Sequence, residues 1–167
     1  ISLQRLLVER PIADGFRERY IERARGLRVG DPRDERTDVG PMIEPEEVAR
    51  ARTWVEEALQ AGARPLTPLK TEERLFWPLI LDNVTPDMRV WKDEIFAPVV
   101  CLREFDDFEE AVRLVDDSRY GLQAGLFTRD LRRIMLAFER IEVGGLMVNE
   151  VPTWRVDEMP YGGAKAS

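Results

Sequence analysis

Ala97-Pro98-Val99-Val100-Cys101-Leu102-Arg103-Glu104-Phe105 decides the fold class, because the chain passes from it into a helix and then into another strand. The run is apolar and short, and reads as a buried strand. Asp106 then caps a helix from Asp107 to about Asp117, with Glu109 three residues on completing a capping-box pattern. Leu122 to Phe127 reads as the next strand, and Thr128 caps a helix from about Arg129 to Ile141. Gly144-Gly145 ends that helix, and Leu146 to Val148 forms a last short strand. Strands alternating with helices in this way predict an α/β fold: a mostly parallel sheet with helices on both faces.

The upstream half fits the same pattern. Leu3 to Val8 is an apolar run suited to a strand or to the end of a buried helix. From Ile12 to Leu27 the positions Ile12, Phe16, Tyr20, Ile21, Ala24 and Leu27 recur at helical spacing, closed near Gly26 or Gly30. Residues 29–43 are polar and turn-rich, a loop. Pro45 suits the first position of a helix whose first turn carries Glu46 and Glu47, and which runs to about Ala61 before Gly62. Leu75 to Leu81 reads as a strand, with Pro78 placing it at an edge or a bulge.

The 167 residues suffice for a single domain over 1–167, with 44% hydrophobic and 34% charged residues. The net charge of −7 argues against nucleic acid or an anionic membrane as partner. No apolar run approaches a membrane span, and Arg5, Glu9 and Arg10 interrupt the only early apolar stretch. One cysteine precludes an intrachain disulfide and favours a reducing, cytoplasmic compartment. The start at Ile1 and the loop-like Ala166-Ser167 suggest a piece of a longer polypeptide.

Taken residue by residue, the chemistry is sparse. Histidine is absent, which removes the commonest general base and metal ligand, and no metal site is expected. Cys101 sits within an apolar strand and reads as a buried structural thiol. Glu94 is a carboxylate at the mouth of a strand, which taken alone reads as solvated surface before it reads as a site, and Gly162-Gly163 is a tight turn.

The motifs carry more. Ile1-Ser2-Leu3-Gln4-Arg5 matches the run that comes after the nucleophilic cysteine in aldehyde dehydrogenases, "C-I-S-x-Q-R". Gly30-Asp31-Pro32 with Thr37-Asp38-Val39-Gly40-Pro41-Met42-Ile43 is similar to that family's "G-D-P … T-x-x-G-P-x-I" loop. Glu94-Ile95-Phe96-Ala97-Pro98-Val99 resembles "E-I-F-G-P-V", with alanine for the usual glycine. Tyr120-Gly121-Leu122 through Phe127-Thr128-Arg129-Asp130, Gly144 to Asn149, and Met159 to Ser167 resemble three further family segments, in family order.

The resemblance covers the whole chain and implies the C-terminal portion of an aldehyde dehydrogenase catalytic domain. It implies NAD or NADP as cofactor, an aldehyde as substrate, and a homo-oligomer for the full-length protein. The nucleophile is expected immediately before Ile1, so no catalytic residue is expected in this chain, which would be inactive alone. Glu94 matches the carboxylate that accepts hydrogen bonds from the nicotinamide ribose, and Phe96 an aromatic beside the nicotinamide. Glu47 and Arg50 fall where further ribose contacts occur. Ile1, Trp154, Arg155 and Tyr161 fall at the substrate entrance. Arg155 suits an anionic group on the aldehyde, or else an ion pair with Asp157 or Glu158. Two other readings stand beside this one: a non-catalytic fragment or interaction module, and an acyl-phosphate reductase of the same superfold.

Overall fold

The computed structural model describes residues 2–167, which divide into two compact units, Ser2–Glu104 and Phe105–Ser167. The first unit is built on a four-stranded sheet of β1 (Arg5–Glu9), β2 (Arg64–Pro65), β5 (Leu79–Asp82) and β6 (Val99–Phe105), in the order β1-β6-β5-β2. β5 and β6 run parallel, with Leu79 opposite Val99 and Leu81 opposite Cys101, while β2 pairs antiparallel to β5. Leu79, Ile80 and Leu81 are all buried, as expected of a strand covered on both faces. Ile80, Leu102 and Val8 pack with Ala13 of α1 (Arg10–Arg25), joined by Phe16, Tyr20, Ile21 and Ala24. On the other face Cys101 Sγ donates to the carbonyl of Val90 in α3 (Arg89–Lys92) at 3.3 Å.

The helix α2 (Pro45–Gln60) forms as its sequence directs: proline opens it, Glu46 and Glu47 occupy the first turn, and Val48, Ala51, Val55 and Ala58 are buried at spacings of three and four. Two residues beyond its end stands Gly62, whose φ of 103° is open to glycine at little cost.

Several elements differ from expectation. The stretch Leu75–Leu81 is two strands, β4 (Leu75–Phe76), paired antiparallel with β3 (Thr71–Glu72), and β5. Pro78 lies between them and cannot donate to a ladder; the buried Thr67 hydroxyl bridges the break, donating to Pro78 O and accepting from Ile80 N, both at 3.0 Å. The start of α1 is Arg10 rather than Ile12, and Ile12 is exposed whereas Ala13 is buried. β6 begins at Val99 rather than Ala97.

The second unit contains α4 (Phe108–Asp116), β7 (Tyr120–Gly121), β8 (Gln123–Leu126), α5 (Leu131–Arg140), β9 (Gly145–Val148) and β10 (Ala164–Lys165). β8 and β9 are parallel, and β10 pairs antiparallel with β7. The caps are shifted from those expected. Asp107, not Asp106, accepts from Glu109 N at the start of α4, and Asp130, not Thr128, accepts from Arg132 N at the start of α5. Thr128 Oγ1 instead accepts from Asp130 N. In each case an aspartate directly ahead of the first helical residue takes the cap, the position from which a carboxylate reaches the second amide.

Candidate active site: a pinned strap and an arginine loop

Between α3 and β6 the chain crosses the first unit as a strap, Asp93 to Pro98, in which burial alternates. Ile95 and Ala97 are buried, Glu94 is exposed and Phe96 is 73% exposed. Ile95 anchors the strap in the core, and its two neighbours present a carboxylate and an aromatic ring to solvent. Phe96 has a φ of 51°. A bulky residue in the left-handed region is a strained conformation that persists only where its surroundings impose it. Ala97 has no positive φ, so alanine in place of the family glycine introduces no backbone conflict.

Those surroundings are specific. Gln4 Nε2 donates to Val90 O at 2.9 Å and to Asp93 O at 2.7 Å, and its Oε1 accepts from Ile95 N at 3.1 Å. Arg5 donates through Nε and Nη2 to Trp91 O, with its guanidinium 4.9 Å from the Trp91 ring centroid. From α2, Arg50 Nη2 donates to Ile95 O at 2.8 Å, while its Nε holds Glu47 at 2.8 Å. The structure thus brings Glu47 and Arg50 to the strap that carries Glu94 and Phe96. Gln4 belongs to the motif Ile1–Arg5, but the motif does not show what the side chain holds: its partners lie 86 to 91 residues away. Ile1 falls outside the described residues.

Cys101 is fully buried, and desolvation pushes its thiol up to about 12, with the Arg5 charge opposing. It is a structural thiol, as its apolar surroundings in the sequence indicate. Among the described residues no group of side chains is arranged to hold a metal ion, and no helix is long and apolar enough to cross a membrane.

In the second unit, residues 149–163 form an exposed loop, with Trp154 N bonded to Val151 O and Met159 N to Val156 O. The Arg155 guanidinium lies 4.6 Å from the Tyr161 ring centroid. Among the described residues it makes no ion pair with Asp157 or Glu158, so the charge faces solvent over an aromatic face. Trp154 and Tyr161 are each about half exposed. The loop is held at its ends. Asn149 Oδ1 accepts from Thr128 N, and Lys165 Nζ donates to Asp116 O and Oδ1. That ammonium holds the Asp116 carboxyl below its ordinary range. A Cβ on Gly144 would sit 1.8 Å from Gly162 O, so the backbone of this segment lies directly against Gly144.

The chain is similar to known proteins over its whole length. The aldehyde dehydrogenase family model matches residues 1–167. The chain is 46% identical over all 167 residues to the 3-sulfolactaldehyde dehydrogenase of Priestia aryabhattai, covering 35% of that protein. It is 44% identical to aspartate-semialdehyde dehydrogenase 1 of Pseudomonas canavaninivorans over 99% of the chain and 35% of that protein. Among solved structures it resembles aldehyde dehydrogenase 21 of Physcomitrella patens in complex with the reaction product succinate. There the TM-score is 0.94 with 39% identity, over 97% of this chain and 34% of that one. It also resembles the glyceraldehyde-3-phosphate dehydrogenase of Methanocaldococcus jannaschii complexed with NADP, with a TM-score of 0.92 and 37% identity over 96% of this chain and 35% of that one. The chain therefore spans about a third of the length of the relatives it matches. From its first residue to its last, it belongs to the aldehyde dehydrogenase family.

Proposed function

We propose that this chain contributes a cofactor-facing strap from its first unit and a substrate-facing loop from its second to an enzyme that oxidises an aldehyde to a carboxylic acid with NAD or NADP. The observation that carries the reading is the strap: a carboxylate and an aromatic ring, both exposed, flank a buried anchor residue. The residues fit such a dinucleotide. Glu94 offers two acceptor oxygens to the vicinal hydroxyls of a ribose, and Phe96 offers a flat apolar face to a planar ring. Because Ile95 is locked by its peptide groups, the backbone that carries both side chains is already ordered when the ligand arrives. The dinucleotide, when bound, supplies the acceptor for the aldehyde hydride. Complexes of relatives with NADP support this choice of cofactor class.

The thiol that adds to the aldehyde is not Cys101, which is buried and held neutral. The family motif assigns that role to the position ahead of Ile1. A cysteine there would form the thioester that water then hydrolyses. We place the enzyme in the cytoplasm, on the reduced state a lone buried thiol implies.

Arg155 points to the substrate class. An unpaired guanidinium braced on Tyr161 suits a carboxylate, sulfonate or phosphate at the far end of the aldehyde. The 3-sulfolactaldehyde and aspartate semialdehyde in the names of two relatives, and the succinate bound to the moss enzyme, are in keeping with an anionic substrate. The test is Arg155→Met in the intact enzyme that carries this chain. Its preference for anionic over neutral aldehydes of equal length should fall by about ten- to a hundredfold, the loss of one charge-assisted contact. An unchanged preference removes the proposed role of Arg155.

A further inference from the structure

The strap that presents Glu94 and Phe96 does not hold itself. We propose that Gln4 is a positioning residue: with Arg50 it clamps the peptide groups of Ile95 from two sides and so presets Glu94 and Phe96 for the dinucleotide. The inference rests on the cofactor reading proposed for the strap and names side chains that reading does not require.

The geometry is that of a clamp. Ile95 N–H is taken by Gln4 Oε1 at 3.1 Å, and Ile95 C=O by Arg50 Nη2 at 2.8 Å, so both polar groups of one buried residue are held by side chains from distant elements. The two N–H groups of the same Gln4 amide hold Val90 O and Asp93 O, which fixes the entry to the strap as well as its centre. One planar amide thus satisfies three backbone groups that no ladder or helix satisfies, and its donors and acceptor are all used. Immediately beyond the clamp the chain enters the left-handed region at Phe96. A phenylalanine relaxes from that conformation unless its neighbour is held, and Ile95 is the neighbour. A second connection links Gln4 to the sheet, since Cys101 N donates to Gln4 O at 2.8 Å. The strap is therefore registered against β6 through Gln4.

The chemistry requires both kinds of contact. Gln4→Met keeps the length and removes every hydrogen bond of the side chain. Gln4→Glu keeps an acceptor for Ile95 N–H but turns a carboxylate toward the Val90 and Asp93 carbonyls. Of the two Ile95 peptide groups Arg50→Lys acts on the carbonyl only, though it also alters the contacts of Arg50 with Glu47 and Trp54, from a helix face where the side chain is partly exposed.

The test uses two readouts. In the intact enzyme that carries the chain, 4-fluorophenylalanine placed at position 96 reports the strap directly, because this ring is largely exposed and its shift is not dominated by core packing. In the same enzyme, KM for the dinucleotide and for the aldehyde are measured separately. We expect one fluorine resonance in the parent enzyme, and a shifted or split resonance in Gln4→Met and Gln4→Glu. Dinucleotide KM should rise roughly tenfold, as for a lost hydrogen-bonded contact, and aldehyde KM should stay within about twofold. Arg50→Lys should move both readouts in the same direction by less, and it decides the matter if the Gln4 variants fail to fold. An unchanged fluorine resonance in the folded variants overturns the clamp, as does a rise in KM for both substrates alike. If the unaltered enzyme shows no dependence on NAD or NADP, the cofactor reading fails, while the fluorine resonance still decides whether Gln4 sets the strap.

Discussion

Burial keeps the Cys101 thiol protonated far above the pH at which an exposed cysteine ionises, and this has a thermodynamic consequence. Its folded-state pKa of about 12 lies above the ordinary 9.0, so the unfolded chain releases this proton first as pH rises. The stabilisation is whole below about pH 9 and is lost on the way to about pH 12. From about pH 8 to about 9.5, below the midpoint of tyrosine ionisation, it should fall by about 1 kcal/mol. Urea unfolding of the parent chain and of Cys101→Ala across that range would show this as a steeper decline in the parent; parallel curves would sink it. At this scale, the sequence reveals Cys101 because its neighbours Val99, Val100 and Leu102 are apolar, a local property. Gln4 is visible only as a letter of the motif Ile1–Arg5, and its role stays hidden. Its work is defined by backbone groups that reach it only through the fold.

The secondary-structure elements are legible where a single short-range force sets them. α2 is readable end to end, since proline at its start, glutamates in its first turn and glycine after its end each act within one turn. The split between β4 and β5 is not, because the hydrophobic run Leu75–Leu81 is continuous. What divides it is Pro78 together with the hydroxyl of Thr67, eleven residues away. The caps of α4 and α5 lie one or two residues from the expected ones, among adjacent polar candidates where only the backbone angle decides which side chain reaches the free amides. The glycines of the second unit give a prediction at this scale. Gly144→Ala puts a methyl group against the Gly162 carbonyl, a backbone atom that no rotamer change can move. It should cost about 1–3 kcal/mol and deprotect the β7–β10 pairing. Gly162→Ala meets nothing within 4 Å and should leave protection unchanged. Hydrogen exchange at Gly121 and Lys165 separates the two, and equal protection in both variants would count against the tight approach of the two backbones.

At the scale of the whole molecule the fold class follows from alternation of strand and helix, and the parallel β5–β6 and β8–β9 pairs agree with it. The resemblance carried across residues 1–167 identifies the family in a way that composition cannot. The division into two compact units gives no sign in the sequence, since Glu104 and Phe105 sit together in one strand. The same scale sets a limit on activity. Of the 167 residues none is histidine and one is cysteine, and that cysteine is buried and neutral. The polypeptide of residues 1–167 alone should therefore reduce neither NAD nor NADP with any aldehyde. Absorbance at the wavelength of the reduced nicotinamide tests this, and measurable turnover would mean that another group serves as nucleophile.

Arg50 does one thing more. Its guanidinium lies 4.7 Å from the ring centroid of Trp54, with Arg89 at 4.8 Å from the same ring. The indole is thus wired to the strap through one side chain: if Ile95 lets go of Arg50, the cation over the ring moves too. Trp54 is in effect a built-in optical gauge, whose emission reads the tension in a segment to which Arg50 ties it.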